Sequence, residues 1–320
     1  MRLVTFHTEY GLRIGAVMDG DEYVLDLHRA CEAHHAELGH GKPRAMADLL
    51  CPTSMIEFLR GGDDAMLMAR RLLAGFTSHT GSPRALKDVV ERRIVLPRKG
   101  LRLAAPVPRP GKIPCLGLNY RDHAAEAGQK IPEVPVIFTK PPDCVIGPGD
   151  PILLPRVADQ QVDYEIEFAF VMGRRAKDVS EADASEYVAG YTIFHDVSAR
   201  DYQLRTSQWY IGKAFDTFGP MGPYLVTRDE VPDPHALDVT LRLNCQVMQK
   251  SNTKNLVFGV PRLVAYLSSV MTLEPGDVIA TGTPGGVGLY QKPPRYLKPG
   301  DVCTLEIERL GTLENPVAAA

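Results

Sequence analysis

The stretch Val162 to Gly173, VDYEIEFAFVMG, reads as a buried strand yet carries two neighbouring carboxylates, and this limits the chain more than any other feature. Side chains alternate across a strand, so Glu165 and Glu167 point to one face and Tyr164, Ile166 and Phe168 to the other. Adjacent carboxylates repel, and each resists removal from water. A fold that holds this strand must bring positive charge to that face, and a divalent cation is the economical source. A third carboxylate follows in GYTIFHDVSARD, Gly190 to Asp201, where an apolar run ends at His195-Asp196. Asp196 at a strand end can turn into a cavity shared with Glu165 and Glu167; taken alone it would serve equally as a cap for the turn toward Arg200. Three carboxylates and no cysteine form a hard, all-oxygen set that suits Mg²⁺ or Mn²⁺. His195 is expected as packing or as support behind the ligands, because an imidazole ligand would move the site toward zinc or iron.

The first segment alternates in RLVTFHT, LRIGAVMD and EYVLDL, with breaks at Tyr10-Gly11 and Asp19-Gly20-Asp21, which predicts a small antiparallel meander. Helical spacing follows at about Leu27 to Glu37, Ala45 to Leu50, Ser54 to Arg60 and Asp64 to Leu73. His28, His34, His35, His40 and His79 lie in or near these helices. A His34-His35-His40 metal cluster would lack a carboxylate at helical spacing, and solvated histidines are expected. The proline-rich passage Ala105 to Pro114 marks a boundary between a small amino-terminal α+β domain (1–104) and a larger domain (105–320).

In the larger domain strands are expected at Cys115 to Leu118, Val136 to Thr139, Tyr164 to Met172, Gly190 to His195, Tyr224 to Thr227, Val239 to Cys245, Val278 to Thr281 and Cys303 to Ile307. Helices are few, near Arg121 to Ala127, Ala182 to Tyr187 and Pro261 to Met271. The fold class is therefore α+β, mainly β, with mixed and mostly antiparallel sheets in place of alternating βαβ units. A net charge of −3, with acid and base interspersed over 320 residues, provides no basic face for nucleic acid or anionic lipid. No apolar run is long enough to span a bilayer and the first residues lack a signal-peptide layout, so a cytoplasmic protein with no membrane partner is expected. The six cysteines show neither metal-site nor disulfide spacing and read as buried free thiols.

His123 and Glu126, three apart, share a helical face, a spacing that by itself also fits a solvated surface pair. The Gly-rich run GTPGGVG, Gly282 to Gly288, lacks the order of a dinucleotide fingerprint; its amides and the Thr283 hydroxyl are suited to a carboxylate. Taken in order, GLNYRDHAAEAG, FTKP, DYEIEFAFVMG, HDVSARD, GKAFDTFGPMGP and GDVIATGTPGGVG resemble the fumarylacetoacetate hydrolase family. Gln208-Trp209, Asp233-Pro234-His235, Ser251-Asn252-Thr253 and Lys292-Pro293-Pro294 are similar to its domain-containing protein 2 branch and bacterial relatives. The likeness runs from about Ile113 to Gly311.

This resemblance implies a mixed β-sheet rolled around a metal site, in a homodimeric enzyme acting on small 2-oxo or 2,4-dioxo acids. It carries the metal ligands onto Glu165, Glu167 and Asp196. It makes His123 and Glu126 the base that draws a proton from water, and it sets Gly117, Asn119 and Gly128 around a mobile lid. Lys213 falls beside the substrate near the metal, and Arg200, Gln203, Lys140 and Thr283 fall on the substrate-binding side. For Arg200 a structural salt bridge is an equal alternative, and for Lys140 a place at a surface strand end; Tyr164 and Trp209 are expected as packing. The expected activity is Mg²⁺- or Mn²⁺-dependent hydrolysis of a C–C bond in an acylpyruvate or fumarylpyruvate. The same site would also serve an oxaloacetate decarboxylase or an oxaloacetate or 2-oxo acid tautomerase or isomerase. A metal-binding protein without catalysis is the alternative from another class.

Overall fold

The computed structural model describes residues 1–158 and 160–320, without the side chains of residues 79 and 80, and its chain divides into two units, Met1–Val107 and Pro108–Ala320. In the first unit the alternating runs form the antiparallel meander β1 (Arg2–Thr8), β2 (Gly11–Met18) and β3 (Tyr23–Asp26). Five helices follow: α1 (Leu27–Glu37), α2 (Pro43–Leu50), α3 (Met55–Arg60), α4 (Gly62–Thr80) and α5 (Pro83–Glu91). The chain then returns as β4 (Val95–Pro97) beside β3 and β5 (Leu103–Ala104) beside β1. Asp26 caps α1 by accepting from the Arg29 amide at 3.0 Å, and Arg13 on β2 holds the same carboxylate with two bonds.

His40 is exposed as expected and His34 half-buried, but His28 and His35 are packed where solvation was expected. His28 is buried with Nε2 2.8 Å from Asp48. His35 is buried between His34 and His40, ring centroids 5.4 and 4.7 Å away, and burial holds its pKa below the usual value. His28 thus faces α2 through Asp48, so position on α1 decides burial. The His79 side chain lies outside the described residues. Among the described residues no metal-holding cluster forms in this unit.

The second unit is built on three sheets. The largest orders β14 (Gly219–Thr227), β12 (Val188–His195), β11 (Ile166–Met172), β17 (Val278–Ala280), β6 (Pro114–Gly117) and β7 (Val136–Thr139), antiparallel except at β17 against β6. The short β8 (Val145–Ile146) lies parallel to β14. A second sheet orders β16 (Gln246–Asn252), β15 (Asp238–Leu243), β18 (Val302–Ile307), β19 (Gly311–Ala319) and β9 (Ile152–Leu154). A third pairs β10 (Val162–Asp163) with β13 (Ser198–Ala199). The helices are α6 (Arg121–Glu126), α7 (Arg200–Gln203), α8 (Tyr210–Lys213) and α9 (Val260–Val270).

Strands β8, β9, β16 and β19 escape the sequence reading. In β16 only Gln249 is buried, so no apolar alternation marks it. The stretch Ala182 to Tyr187 forms a single 3₁₀ turn at Ala184–Tyr187, not a helix. The strand at Glu165 also differs: β10 ends at Asp163 and β11 begins at Ile166, leaving Glu165 in the break. There the backbone amides turn to side chains, Tyr164 N–H donating to Asp163 Oδ1 (2.8 Å) and Ile166 N–H to Gln249 Oε1 (3.0 Å). Cys245 is exposed in the β15–β16 turn, whereas the other five cysteines are buried as expected.

Every residue of β11 is buried, and Phe168 stacks on Tyr191 of β12 with centroids 5.3 Å apart. Phe168→Ala is expected to lower stability by about 3–5 kcal/mol, read from the midpoint of a urea unfolding curve.

Candidate active site

The register of β11 on β12, Ile166 opposite His195 and Glu167 opposite Phe194, brings the start of one strand beside the end of the other. The Asp196 amide donates to the Glu165 carbonyl at 3.0 Å and closes the corner. Glu165, Glu167 and Asp196 thereby meet, with one oxygen of each within 4.8 Å of the others, and all three are buried. Three buried cations surround them. Lys213 Nζ lies 2.8 Å from Glu165 and 2.6 Å from Asp196. Lys140 Nζ donates to Asp196 at 2.7 Å and to the Val197 carbonyl at 3.0 Å. Arg200 reaches Glu165 at 2.6 Å and Asp163 at 2.8 Å, and a further N–H goes to Gln203 Oε1.

Asp163, which the sequence reading passed over, is wholly buried and also accepts the amides of Gly288 (2.7 Å) and Leu289 (2.9 Å). Its signal was present in the sequence, as one more acid at the head of a buried strand. Gln249 had no such signal. Its amide ties three segments, accepting from Ile166 and donating to Thr283 Oγ1 and the Pro284 carbonyl, both at 2.8 Å.

The carboxylates differ in charge state. Burial raises the pKa of Glu165, but Lys213 and Arg200 more than reverse this and hold it below the usual carboxylate range. Burial, then the charges of Asp196 and Glu165, push Glu167 well above that range. Burial and the nearby Lys140 bring His195 down to about 3, so its imidazole is neutral; both ring nitrogens lack hydrogen-bond partners. An all-oxygen set of three buried carboxylates, one of them driven up by burial and then by its neighbours' charge, fits a divalent cation: the ion would offset the repulsion that the ammonium groups leave uncompensated.

A cavity of about 330 Å³ opens on this group. Glu165, Glu167, Arg200, Gln203, Lys213 and Thr283 line it, together with Leu116, Phe138, Leu204, Trp209, Leu289, Tyr290 and His123. Trp209, expected as packing, is thus a wall of the cavity, edge-on to Phe138 with centroids 5.5 Å apart. Lys140 is neither a surface residue nor a lining one; it is spent on Asp196. Arg200 combines both alternatives, lining the cavity while paired to two carboxylates.

The Thr283 hydroxyl donates to the Ile166 carbonyl at 2.9 Å, so it braces the strand break. The amides of its loop do bind carboxylates, but the chain's own: Gly282 N–H holds Glu167 (2.8 Å) and Gly286 N–H holds both oxygens of Glu126 (2.9 and 3.0 Å). His123 Nδ1 stands 3.5 Å from Glu126 Oε2 without a hydrogen bond. The amino side of the lid segment is pinned. Gly117 packs on Trp209, and the Asn119 side chain bonds Thr281 and Phe258 at 2.8–3.1 Å.

With this geometry in view, comparison with known proteins is decisive: residues 112–318 match the family described as "Fumarylacetoacetate (FAA) hydrolase C-terminal". The chain belongs to the fumarylacetoacetate hydrolase family. It is 42% identical over 292 residues to "Oxaloacetate tautomerase Fahd2a, mitochondrial" of Rattus norvegicus, covering 89% of this chain and 88% of the relative. It is 46% identical over 268 residues to "Oxaloacetate tautomerase FAHD2A, mitochondrial" of Bos taurus, covering 83% and 80%. Among solved structures, the fumarylacetoacetate hydrolase of Exiguobacterium antarcticum aligns over the full length of both chains, with a TM-score of 0.76 and 34% identity. The mixed α+β architecture is that of the family, and among the described residues no helix is long and apolar enough to cross a membrane.

A Cβ at Gly117 would lie 2.5 Å from the Trp209 ring. Gly117→Ala is expected to push the indole into the cavity at a cost of about 1–3 kcal/mol. Trp209 is the chain's single tryptophan, so its fluorescence maximum reports the shift directly.

Proposed function

We propose that this chain is a divalent-metal-dependent tautomerase that interconverts the keto and enol forms of oxaloacetate or a closely similar 2-oxo acid. Two relatives of 42% and 46% identity carry that activity in their names, which puts this reading ahead of C–C bond hydrolysis. The observation that carries it in the site is the place of His123 on the cavity wall, outside the ion pairs that tie up other ionisable groups there. Arg200, Lys213 and Glu165, also on the cavity wall, are committed to one another in ion pairs, while the imidazole borders the cavity without a hydrogen bond at Nδ1.

Held by Glu165, Glu167 and Asp196, a Mg²⁺ or Mn²⁺ ion would supply Lewis-acid polarisation of the substrate's 2-oxo group. The chain's own residues do the rest. An imidazole can carry a proton either way, so His123 takes the C3 proton of the keto form while the enolate's 2-oxygen takes up a proton from solvent, and in the reverse step the oxygen releases that proton as His123 returns one to C3. Burial lowers the pKa of Lys213, but Asp196 and Glu165 raise it further, so the ammonium persists to offset negative charge developing on the substrate oxygen. Arg200, fixed by Asp163 and Gln203, orients the substrate carboxylate. The apolar wall of Phe138, Leu204 and Trp209 limits water around the carbon acid. Hydrolysis would instead ask Glu126 to hold the imidazole against a water, and here Glu126 Oε2 stands 3.5 Å from Nδ1 without a hydrogen bond. The relatives are mitochondrial by name; the chemistry itself requires only a compartment with divalent cations and 2-oxo acids.

The test follows enol absorbance of oxaloacetate with Mg²⁺ and after chelation, alongside pyruvate and CO₂. Faster enol–keto exchange without pyruvate release supports the proposal, whereas Mg²⁺-dependent pyruvate release as the main product overturns it. His123→Ala is expected to lower kcat by about 10²- to 10⁴-fold while Mg²⁺-dependent oxalate binding, measured by calorimetry, is retained. Glu167→Gln is expected to abolish that binding.

A further inference from the structure

Helix α6 carries His123 but is only six residues long, too short to hold its own direction. Asp122 and Glu126, four apart on it, share a face, and both sit on consecutive amides of the loop after β17. Gly285 N–H approaches Asp122 Oδ1 at 3.4 Å and Gly286 N–H holds Glu126, while Gly282 of the same loop holds Glu167. The loop therefore links the metal carboxylates to the helix that bears the imidazole.

Asp122 does more than meet the loop. Its Oδ2 accepts from Ser251 Oγ on β16 at 2.5 Å and from Asn255 Nδ2 at 3.4 Å, and its Oδ1 accepts the backbone N–H of His123 at 2.8 Å. Asn255 also donates to Ser251 Oγ at 3.0 Å, so the hydroxyl is oriented toward the carboxylate. Neither Asp122 nor Ser251 borders the cavity, so neither can touch substrate. Asp122 holds the amide of the next residue, His123, and is itself held from two segments distant in sequence, by Ser251 with Asn255 and by Gly285.

We propose that Asp122 and Ser251 form a latch that fixes His123 relative to the metal carboxylates, and that both are positioning residues for proton transfer. This rests on His123 as the proton carrier of the tautomerase. Ser251 is the informative partner: removing its hydroxyl leaves the acid in place and frees only the helix. Ser251→Ala is expected to lower kcat for enol–keto exchange by about ten- to a hundredfold, with KM and Mg²⁺-dependent oxalate affinity kept within about twofold. Ser251→Thr, which keeps the hydroxyl, is expected to restore most of the loss. In a His123→Ala background Ser251→Ala is expected to have no further effect, because the group it positions is gone.

An equal further loss in that background, or a fall confined to KM and stability, overturns the latch. Hydrogen exchange separates this from failure of the tautomerase reading. If the wild-type protein shows no tautomerase activity, that reading falls, but the amides of residues 123–127 should still exchange faster in Ser251→Ala than in the wild type. Unchanged exchange there overturns the latch whatever the activity.

Discussion

Four buried carboxylates, Asp163, Glu165, Glu167 and Asp196, face three buried cations, Lys140, Arg200 and Lys213, and the rest of the second unit is arranged around keeping that group solvated by protein. Removing an ion from water costs several kcal/mol even after relaxation, and pairing recovers it only when the remaining lone pairs and protons also find partners. That condition explains the density of bonds: Asp163 alone takes three backbone amides besides Arg200, and Asp196 takes two ammonium groups. It also explains the break in the strand at Glu165. A continuous strand would commit its amides to neighbours, whereas the break directs two of them to Asp163 and Gln249.

The pairing leaves one carboxylate short. Glu167 has a single backbone amide from Gly282, and burial, followed by the charges of Asp196 and Glu165, drives it toward the neutral form. A protein that sought only stability would have put an apolar residue there, since well-packed hydrophobic groups commonly match or exceed a buried ionic cluster. The residual negative charge is what suits the cluster to a divalent cation. The loop that reaches Glu167 must bring its backbone close. Gly282 and Gly286 adopt φ of +93° and +105°, and a side chain at Gly286 would collide with the Met248 carbonyl.

Much of the site was legible in one dimension because it depends on local rules. Alternation placed Glu165 and Glu167 on one face, and it holds even though a strand break falls at Glu165, since the two side chains still converge with Asp196. The order of the family motifs carried the identity of the three carboxylates and of His123. The reading failed where a residue's surroundings come from far along the chain. Gln249 meets Ile166 across 83 residues and Lys140 meets Asp196 across 56, and no local pattern encodes either meeting. The place of Trp209 shows the same limit: it packs on Gly117 and Phe138 as expected, but that it also borders the cavity is decided only by the fold.

By itself, then, the sequence determined the mainly β class of the second unit, the acidic triad and the residue types able to bind a hard cation, because periodicity and charge act over a few residues. Tertiary structure alone decided which cation neutralises which carboxylate, which one is left uncompensated, and that His123 is held by a helix latched from two sides. Those outcomes depend on strand register and loop closure, which set the distances between charges and so the strength of each pairing.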